Sequence, residues 1–521
     1  MKIQILFLAA IAAFGQATFV FKDGYPLGCT DISPADPAAG GSYNVGNRAS
    51  CVIPGLKPPG DFAPPPVGGS YVDPTFGHTV TVSSSFGYYQ TYSTPSPLSA
   101  TGKYLAVVGK DTDGTVGGTT AIVAAKTGAW VRKVAGASQD WGFRWHPTND
   151  DIYFTINGKV IYRRNATTTE STKVFEDTAG IVTGGTGDIS ADLWFAYATS
   201  RDVAVGKLCT APLDGSGKKA CIPLAGMIGA GSNFDFALVS KGRDSITGKR
   251  YVMLEQGGRV FEVDETAGVL VDRGNSGADW NHSDTMQGPD GRQYVFAMTG
   301  WPGQPWPGVP GGDAATFWLL ADPTVKYKAF QVSWGSPVVA GPNATHFNCA
   351  KTKPSCALGF SPNSVPPTAN APGEREPWGY EAIKLTMTAT GAFEVQRLAK
   401  TRTVRRNATV NGTPLSQDYD SMPMCGLSGD AMVVACKTNW GIVPYAGHER
   451  PTSPGVRQVI TIDASGGGPV PPPNPCPPCP VCPVCPPPAC DCEANAKTIE
   501  AQKVKILQLE KKISDAIKVL Q

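Results

Sequence analysis

The sequence predicts an all-β protein, and two observations support this fold class. The chain contains 60 glycines and 46 prolines but only 17% charged residues, a composition that disfavours long helices and favours short strands joined by tight turns. Between residues 77 and 464, short apolar or alternating runs such as YLAVVG, DIYFTI and LWFAYAT are separated by clusters of Gly, Asn, Asp and Pro. Such runs are typical of strands, and almost nothing between them has a helical period.

One phrase recurs along this region, in which a polar turn with Asp, Asn or Gly precedes a strand that alternates large apolar residues. It occurs in WHPTNDDIYFTINGKVIYRR, GTGDISADLWFAYAT, HSDTMQGPDGRQYVFAMTG and CGLSGDAMVVACKTNWG. Repetition of such a unit every few tens of residues is the sequence signature of propeller blades. At four strands per blade the runs make about five to seven blades, and we favour a six- or seven-bladed β-propeller because weak strands are easily missed. Tandem β-sandwiches are the alternative.

These phrases resemble those of the TolB-like and WD-repeat-like β-propellers, whose blades carry a similar turn, Asp-Gly and apolar strand. The resemblance covers the region 77–464. Its motifs are degenerate, so the resemblance implies the fold and does not specify an activity.

Residues 1–17, MKIQILFLAAIAAFGQA, are interpreted as a secretory signal peptide that is cleaved near Ala17–Thr18. The apolar run from Ile5 to Phe14 is too short to span a bilayer, and small residues follow it. An uncleaved anchor or a buried first strand is the alternative. No later segment approaches the ~20 apolar residues of a spanning helix, so we expect a secreted, extracellular or cell-surface protein in an oxidising compartment.

The net charge and the sequons agree with this location. Lys and Arg number 45 against 43 Asp and Glu, so the formal charge of +2 provides no basic field to attract nucleic acid or a membrane surface. Five sequons predict a glycoprotein with N-glycosylation at Asn165, Asn281, Asn343, Asn407 and Asn411.

Eight cysteines precede the tail, and their spacing suggests local structural disulfides. Cys29 and Cys51 lie in residues 18–76, which we expect to form an irregular N-terminal arm. The other pairs would staple hairpins or loops of the propeller: Cys209 with Cys221, Cys349 with Cys356, and Cys425 with Cys436.

The other six of the fourteen cysteines lie in a Gly-, Pro- and Cys-rich stalk at residues 465–492. Proline at this density favours polyproline II, with three residues per turn and about 3.1 Å of rise per residue. Cys476, Cys479, Cys482 and Cys485 are spaced by three, so they would share one edge, about 9 Å apart. A disulfide requires Cα atoms within about 7 Å, so these cysteines would bond a second chain. Cys490 and Cys492 break the period. Zinc binding and pairing within one bent tail are the alternatives.

The last segment, 493–521, predicts a coiled-coil helix. Its heptad seam is Ile499, Ile506, Leu509, Ile513, Ala516 and Leu520, apart from Gln502 at one seam position. Ile at most a positions favours two strands, and a helix of this length is marginal alone. The partner is therefore expected to be the protein itself, as a parallel dimer, with a trimer or fibre as alternatives. An amphipathic helix docked on the propeller is a further alternative.

Two groups of residues are candidates for a ligand or catalytic site. Asp279, His282 and Asp284 in DWNHSD could bind a metal or perform acid/base chemistry, although capping of a turn is the default interpretation. Trp301 and Trp306 lie in a proline-rich segment that we expect to be an insertion between blades. They could stack on sugar rings or bind a protein, or could pack the segment onto the body.

These observations favour a non-enzymatic function. We expect a secreted, disulfide-linked multimer whose propeller heads bind an extracellular glycan or protein, or build an extracellular structure. No cofactor is expected, and no GxSxG, HExxH or phosphate-binding glycine motif occurs. The alternative is a polysaccharide lyase or hydrolase on the same scaffold.

Overall fold

The structure is a computed structural model of the chain, which divides into two compact units, Met1–Pro471 and Pro472–Gln521. All the described residues lie in the first unit. They are residues 19–21 and 65–466, with gaps at 74–75, 86–87, 91–93, 110–118, 139–141, 184–186, 229–233, 235, 276–279, 300–313, 332–342, 362–380, 390–392, 402–408, 411–412, 415–422 and 439–457.

This part of the chain is built mainly from strands, and it includes a short 3-10 turn at Gln256–Gly258. The first strands are β1 (Phe19–Phe21), β2 (Ser70–Val72), β3 (Thr79–Val82), β4 (Tyr88–Gln90), β5 (Tyr104–Gly109), β6 (Thr119–Ala124), β7 (Trp130–Ser138), β8 (Phe143–Trp145), β9 (Ile152–Asn157), β10 (Val160–Asn165) and β11 (Ser171–Glu176). The middle strands are β12 (Trp194–Ala198), β13 (Lys207–Pro212), β14 (Ala220–Pro223), β15 (Ala237–Val239), β16 (Tyr251–Leu254), β17 (Arg259–Asp264), β18 (Val269–Asn275), β19 (Trp280–Gln287), β20 (Gln293–Thr299), β21 (Ala314–Leu319) and β22 (Asp322–Gln331). The last strands are β23 (Asn343–Cys349), β24 (Ser355–Ser361), β25 (Glu381–Met387), β26 (Phe393–Lys400), β27 (Thr409–Val410), β28 (Thr413–Pro414), β29 (Cys425–Leu427), β30 (Val433–Thr438) and β31 (Gln458–Asp463).

The strands form six main sheets, and consecutive strands are neighbours in almost all of them. Sheet I is β4–β7, sheet II is β8–β11, sheet IV is β19–β22, and sheet V is β23–β26 with β1 added in parallel to β26. Sheet III has seven strands, ordered β12-β13-β14-β18-β17-β16-β15, and its two halves meet through one parallel residue pair, Cys221 with Val269. The closing sheet is ordered β2-β3-β31-β30-β29, and β27 and β28 form a separate hairpin. The prediction of an all-β fold is confirmed.

The sheets pack face to face in sequence order through apolar cores. Sheets I and II share Tyr104, Ile122 and Trp145, all buried. Sheet II packs on the first half of sheet III through a second cluster that includes Phe154, Ile161, Phe195 and Tyr197. A third cluster, which includes Leu208 and Phe261, joins the two halves of sheet III.

The same packing continues around to the starting point. Met253 and Val260 of sheet III share an apolar core with Trp318 of sheet IV. Sheets IV and V meet where Phe317 stacks on Phe393, with ring centroids 4.1 Å apart. Sheet V then shares a core with the closing sheet that includes Leu398 and Val434, and the closing sheet shares another with sheet I that includes Val459 and Leu105. The sheets therefore form a closed ring, which is the arrangement of a β-propeller.

The ring closes where strands from the two ends of this unit pair. Val80, Thr81 and Val82 of β3 lie opposite Ile462, Thr461 and Ile460 of β31 in antiparallel register. His78 reinforces this junction, because its Nδ1 lies 2.8 Å from the backbone oxygen of Asp463. Strands β1 and β2 lie in the segment that the sequence predicted to be an irregular arm. The closing sheet therefore includes residues before 77.

A four-residue turn repeats at residues 99–102, 190–193, 288–291 and 428–431. In each turn the N–H of the fourth residue donates to the carbonyl of the first, for example Gly102 to Ser99 at 3.1 Å. The fourth residue has a left-handed backbone in all four turns, with φ of 75° at Gly102, 67° at Leu193, 76° at Gly291 and 63° at Ala431. This geometry is a type I turn followed by a left-handed residue, which glycine adopts at the lowest cost. It explains the Asp-Gly at residues 290–291, whereas Leu193 and Ala431 adopt the same conformation after an Asp without being glycine.

The turn geometry predicts unequal costs for two glycine substitutions. A Cβ added at Gly102 would lie 2.6 Å from the Cγ2 of Val433, whereas at Gly158, with φ of 60°, nothing lies within 4 Å. Gly158→Ala should cost only the left-handed conformation, about 1–2 kcal/mol. Gly102→Ala should lower the free energy of unfolding by about 1–3 kcal/mol more than this, because its methyl group would overlap Val433. Chemical denaturation measures both losses. Equal losses in the two variants would contradict this packing.

Candidate functional site: a buried ionic cluster on the propeller axis

End strands of sheets III, IV and V and of the closing sheet contact one another in succession around the axis of the ring. Consecutive contacts join β12 to β15, β15 to β19, β19 to β23, and β23 to β29. Charged side chains that are almost fully buried lie on or next to these strands. We call them the axial cluster: Arg144, Asp188, Lys241, Asp284 and Lys351.

Asp188 connects three of the sheets within this cluster. Its Oδ1 lies 2.9 Å from the Nζ of Lys351, which follows β23 in sheet V. The same Nζ donates to the carbonyl of Trp145 in sheet II at 2.6 Å. Arg144, also in sheet II, donates from Nε to the carbonyl of Gly187 at 2.6 Å. Asp188 therefore fixes the segment before β12 to sheets II and V.

Asp284 is the second anion of the axial cluster, and four donors surround its carboxylate. Oδ1 accepts from the Nζ of Lys241 at 3.0 Å and from the N–H of Thr285 at 2.7 Å. Oδ2 accepts from the N–H of Cys349 at 2.8 Å and from the Nδ2 of Asn348 at 3.3 Å. These partners belong to sheets III, IV and V. The carboxylate is thus positioned to hold the sheets together, with its hydrogen-bonding capacity used within the protein.

Neutral groups extend the axial cluster to the remaining sheets. The N–H of Ser96, which precedes β5 of sheet I, donates to Asp188 Oδ2 at 3.2 Å, and its hydroxyl donates to the carbonyl of Leu427 in the closing sheet. The N–H of Leu427 donates in turn to Asn348 Oδ1 at 2.7 Å. All six main sheets are therefore linked by polar contacts at the axis.

Burial and neighbouring charge act in opposite directions on the two carboxylates. Burial would raise the pKa of Asp188, but Lys351, Lys241 and Arg144 outweigh it and hold that pKa below its ordinary value. Burial raises the pKa of Asp284 above its ordinary value. The positive charge of Lys241 lowers this pKa in part, and the negative charge of Asp188 raises it further. Lys351 is buried as well, and this burial lowers the pKa of its ammonium below the ordinary value, although the negative charge of Asp188 raises it in part. Pairing therefore outweighs burial at Asp188, whereas burial outweighs pairing at Asp284 and Lys351.

A second buried ionic group joins sheet V to the closing sheet. Glu381 accepts from Arg397 Nε and Lys400 Nζ, each at 2.8 Å. The N–H of Lys400 donates to Asp73 Oδ2 at 3.0 Å, and the Arg397 guanidinium lies 4.6 Å from the ring centre of Phe76. Burial would raise the pKa of Glu381, but the two cations hold it below its ordinary value. This group anchors the turn between β2 and β3.

Three disulfides connect directly opposed residues of neighbouring strands. They are Cys209–Cys221 between β13 and β14, Cys349–Cys356 between β23 and β24, and Cys425–Cys436 between β29 and β30. These are the three local pairings that the spacing suggested. Cys349 also donates its N–H to Asp284, so one disulfide adjoins the axial cluster.

The structure places only part of the predicted metal or acid/base group. Asp284 belongs to the axial cluster, His282 lies on β19 with a side chain outside the description, and Asp279 lies outside the described residues. In the described part of the chain, no group of three or more His, Cys, Asp or Glu side chains is placed to hold a metal. None of the described helices has the length and apolarity to cross a membrane.

The predicted position of Trp301 and Trp306 between blades was wrong. Thr299 at the end of β20 pairs with Ala314 at the start of β21, so residues 300–313 connect neighbouring strands of sheet IV. The pairing of two adjacent strands overrides the proline-rich composition that suggested a boundary. Both tryptophans themselves lie outside the described residues.

Asn165 is the sequon whose side chain the structure describes. It ends β10 beside an exposed turn, and its Oδ1 accepts from the N–H of Thr167 at 2.8 Å and the hydroxyl of Thr167 at 3.0 Å. Asn281 and Asn343 lie on β19 and β23, and their side chains are not described. Asn407, Asn411, the Cys29 and Cys51 pair, the stalk cysteines and the coiled-coil seam lie outside the described residues.

Sequence reasoning missed four of the five charged members of the axial cluster: Arg144, Asp188, Lys241 and Lys351. A signal was present at Arg144, because a charge inside an apolar run, as in FRW, is expensive to bury unless it is paired. The partners lie 43 residues apart for Lys241 and Asp284, and Lys351 lies 206 residues from Trp145. Only the closed ring brings them together.

No family model matches the chain, and no curated protein matches it either. It is similar to the solved oligogalacturonate lyase from Vibrio parahaemolyticus, with 12% identity and a TM-score of 0.46 over 76% of this chain and 96% of that chain. The WD40 repeats of RRP9 have 7% identity and a TM-score of 0.37, over 74% and 99% of the two chains. A putative TolB from Agrobacterium tumefaciens has 11% identity and a TM-score of 0.27, over 51% and 82%.

At these identities and TM-scores, the similarities carry no argument about activity. The fold is defined by the sheets themselves, and it is a β-propeller. The resemblance to TolB-like and WD-repeat-like propellers is confirmed for the fold.

The axial cluster predicts a strong coupling between Asp188 and Lys351. Asp188→Asn and Lys351→Met should each lower the free energy of unfolding by about 3–5 kcal/mol, because each leaves a buried charge without its partner. The double variant should lose clearly less than the sum. Lys103 and Asp151 form a matched exposed pair at 2.9 Å, so Asp151→Asn should cost less than about 1 kcal/mol. Additive losses in urea denaturation would contradict the coupling.

The depressed pKa of Glu381 predicts that its contribution to the free energy of unfolding is lost in acid. Because its folded pKa lies below the unfolded value, the contribution is fully present above about pH 5 and is lost as pH falls through the folded pKa. The difference in unfolding free energy between the wild type and Glu381→Gln should therefore shrink on acidification. Glu170→Gln, at an exposed carboxylate 4.0 Å from Arg163, should show a small difference at every pH. If the difference in unfolding free energy between the wild type and Glu381→Gln stays constant or grows in acid, the pKa of Glu381 is not depressed.

Proposed function

We propose that this protein is an extracellular, N-glycosylated β-propeller that is linked into multimers through its tail. Its propeller heads bind a glycan or a protein, or assemble into an extracellular structure. The observation that carries the extracellular part is the set of three disulfides in three different sheets. Such bonds persist in oxidising compartments and are rare in the cytosol.

The surroundings of Asn165 support the glycoprotein assignment. Thr167 to Glu170 are exposed, and the amide oxygen of Asn165 is held by the Thr167 side chain and by the N–H of Thr168 at 3.0 Å. The described residues accept no hydrogen bond from its Nδ2. A glycan on that nitrogen would extend into solvent without breaking a contact of the turn.

Glycosylation at Asn165 depends on the hydroxyl of Thr167. Thr167→Ser should retain the glycan on protein secreted from a eukaryotic host, whereas Thr167→Ala should remove it, because only the first keeps the sequon. Peptide mass spectrometry with and without deglycosylation measures occupancy directly. An unmodified Asn165 peptide from the wild type would refute this part of the proposal.

We also propose that the head has seven blades. Five sheets have four or five strands each, and the seven strands of sheet III divide at the single pair Cys221–Val269. The first half has three strands and a further bridge from Val182 to Ala198, and the second half has four strands. Counting the two halves as separate blades gives every blade a similar size.

The tail accounts for the multimer. A parallel coiled coil at 493–521 would place equivalent cysteine stripes of two chains side by side, where each cysteine could bond its own counterpart. Three chains would leave an odd thiol at each level, so we propose a dimer. Two heads held on one stalk turn weak contacts into avidity for a repeated ligand.

The assembly is tested by the mass of the secreted protein in light scattering. We expect a multimer, preferably a dimer, for the full chain. In a denaturing gel, it should separate into single chains only with reductant. A protein truncated after Gly468 should be a monomer in light scattering, both with and without reductant. Replacing Cys476, Cys479, Cys482, Cys485, Cys490 and Cys492 by Ser should remove the covalent link, whereas replacing Cys209 and Cys221 should leave it intact.

Two outcomes would overturn this assignment. A monomeric full chain would mean that the tail closes within one chain or binds metal. A multimer that persists in the truncated protein would place the contact in the propeller head.

A further inference from the structure

A polar cleft opens between sheet V and the closing sheet, with a volume of about 260 Å³. We define it by the side chains that carry the argument: Ser355, Lys384, Thr386, Glu394 and Gln396 of sheet V. The turn Asp430–Met432 of the closing sheet forms the opposite wall. The axial cluster and the Glu381 group contribute none of its lining residues.

The sheet V wall is a platform of polar side chains from three neighbouring strands. Ser355 lies opposite Thr386, and Thr386 lies opposite Glu394. Lys384 lies opposite Gln396 in the same register. Residues two apart on a strand point to the same face, so all five side chains share the face that looks towards the closing sheet.

The polar character of this platform is local. On the same strands and the same face, Ala357, Ala382 and Leu398 pack into the core between sheet V and the closing sheet. The face changes from apolar to polar where the two sheets separate. Ser355 and Gln396 are only 3% and 8% exposed, so the polar wall is a recess rather than an open surface.

The opposite wall is held in a fixed conformation. Asp430 Oδ1 accepts from the Ser428 hydroxyl at 2.6 Å and from the N–H of Met432 at 3.1 Å. Ala431 has the left-handed φ of 63°, and Lys384 Nζ reaches across to the carbonyl of Ala464 at 2.6 Å. Preorganised polar groups bind a ligand without a further loss of side-chain entropy.

The chemistry of the cleft favours a ligand without net charge. Two ammonium groups, Lys353 and Lys384, are balanced by the carboxylates of Glu394 and Asp430. A ligand of either charge would meet a like charge within the cleft, whereas an alcohol O–H can accept from an ammonium and donate to a carboxylate. The volume lies just below the range of about 300–1,000 Å³ for small-molecule pockets, which limits the ligand to a single ring.

We propose that the polar cleft binds one neutral sugar ring, as a subsite of the glycan-binding head. This inference rests on the proposed function and specifies where and what the head binds. Hydroxyl groups of the ring would contact the carboxylates, the ammonium groups and Thr386, and Met432, which is 41% exposed, would cover an apolar edge.

The test is isothermal titration of the full-length protein with glucose, galactose, mannose and N-acetylglucosamine. Glucuronate and glucosamine serve as charged probes. At least one neutral sugar should bind, and the charged probes should bind more weakly. The double variant Thr386→Val with Glu394→Gln should raise the Kd for that sugar at least about tenfold, because Val removes a hydroxyl and Gln removes the charge of an acceptor. The matched variant Thr172→Val with Glu170→Gln, at exposed positions beside β10, should leave the Kd unchanged.

Each result leads to a separate conclusion. If a neutral sugar binds equally well to the wild type and the cleft variant, and thermal unfolding shows both folded, the cleft proposal fails while glycan binding by the head stands. If none of the four sugars binds, the cleft proposal also fails, and the multimer is still judged by light scattering. Tighter binding of glucuronate or glucosamine would overturn the assignment to a neutral ring.

Discussion

Closure of the ring, by pairing β3 with β31, is the constraint on which the rest of the propeller depends. Each sheet buries its two faces only because a neighbour covers it on both sides, so an open ring would expose two apolar faces to water. The closing sheet covers both of them, through its shared cores with sheet V and sheet I. The backbone pairs of Val80 to Val82 with Ile460 to Ile462 give this closure its register.

The buried charges at the axis also depend on ring closure for their partners. Taking a carboxylate or an ammonium out of water costs several kcal/mol unless the geometry of its partners is good. Asp284 has four donors from three sheets, and Asp188 has partners in sheets I and V. These contacts exist together only when every sheet is in place. The axial cluster therefore makes one arrangement of the sheets much better than its alternatives, because its contacts form only together.

The polar cleft lies between two sheets that elsewhere pack through an apolar core. Where sheet V and the closing sheet touch, small and apolar residues such as Ala382 and Leu398 exclude water. Where they diverge, the face presents hydroxyl, amide and charged groups instead. In the proposed assembly, two heads on one stalk would present two such sites.

The sequence by itself determined the all-β class and indicated the repeated turn and the three local disulfides, because each depends on residues close together in the chain. Alternation in DIYFTI or LWFAYAT specifies a strand, and Asp-Gly specifies a left-handed turn residue. Short strands such as Phe143–Trp145 carry too few residues for a period, which is why the number of blades was not fixed in advance. The tertiary structure alone decided that Asp284 pairs with Lys241, that residues 300–313 connect strands of one sheet, and that Lys384 and Asp430 share a cleft. Those contacts join residues far apart in the chain, and only ring closure places them within reach of one another.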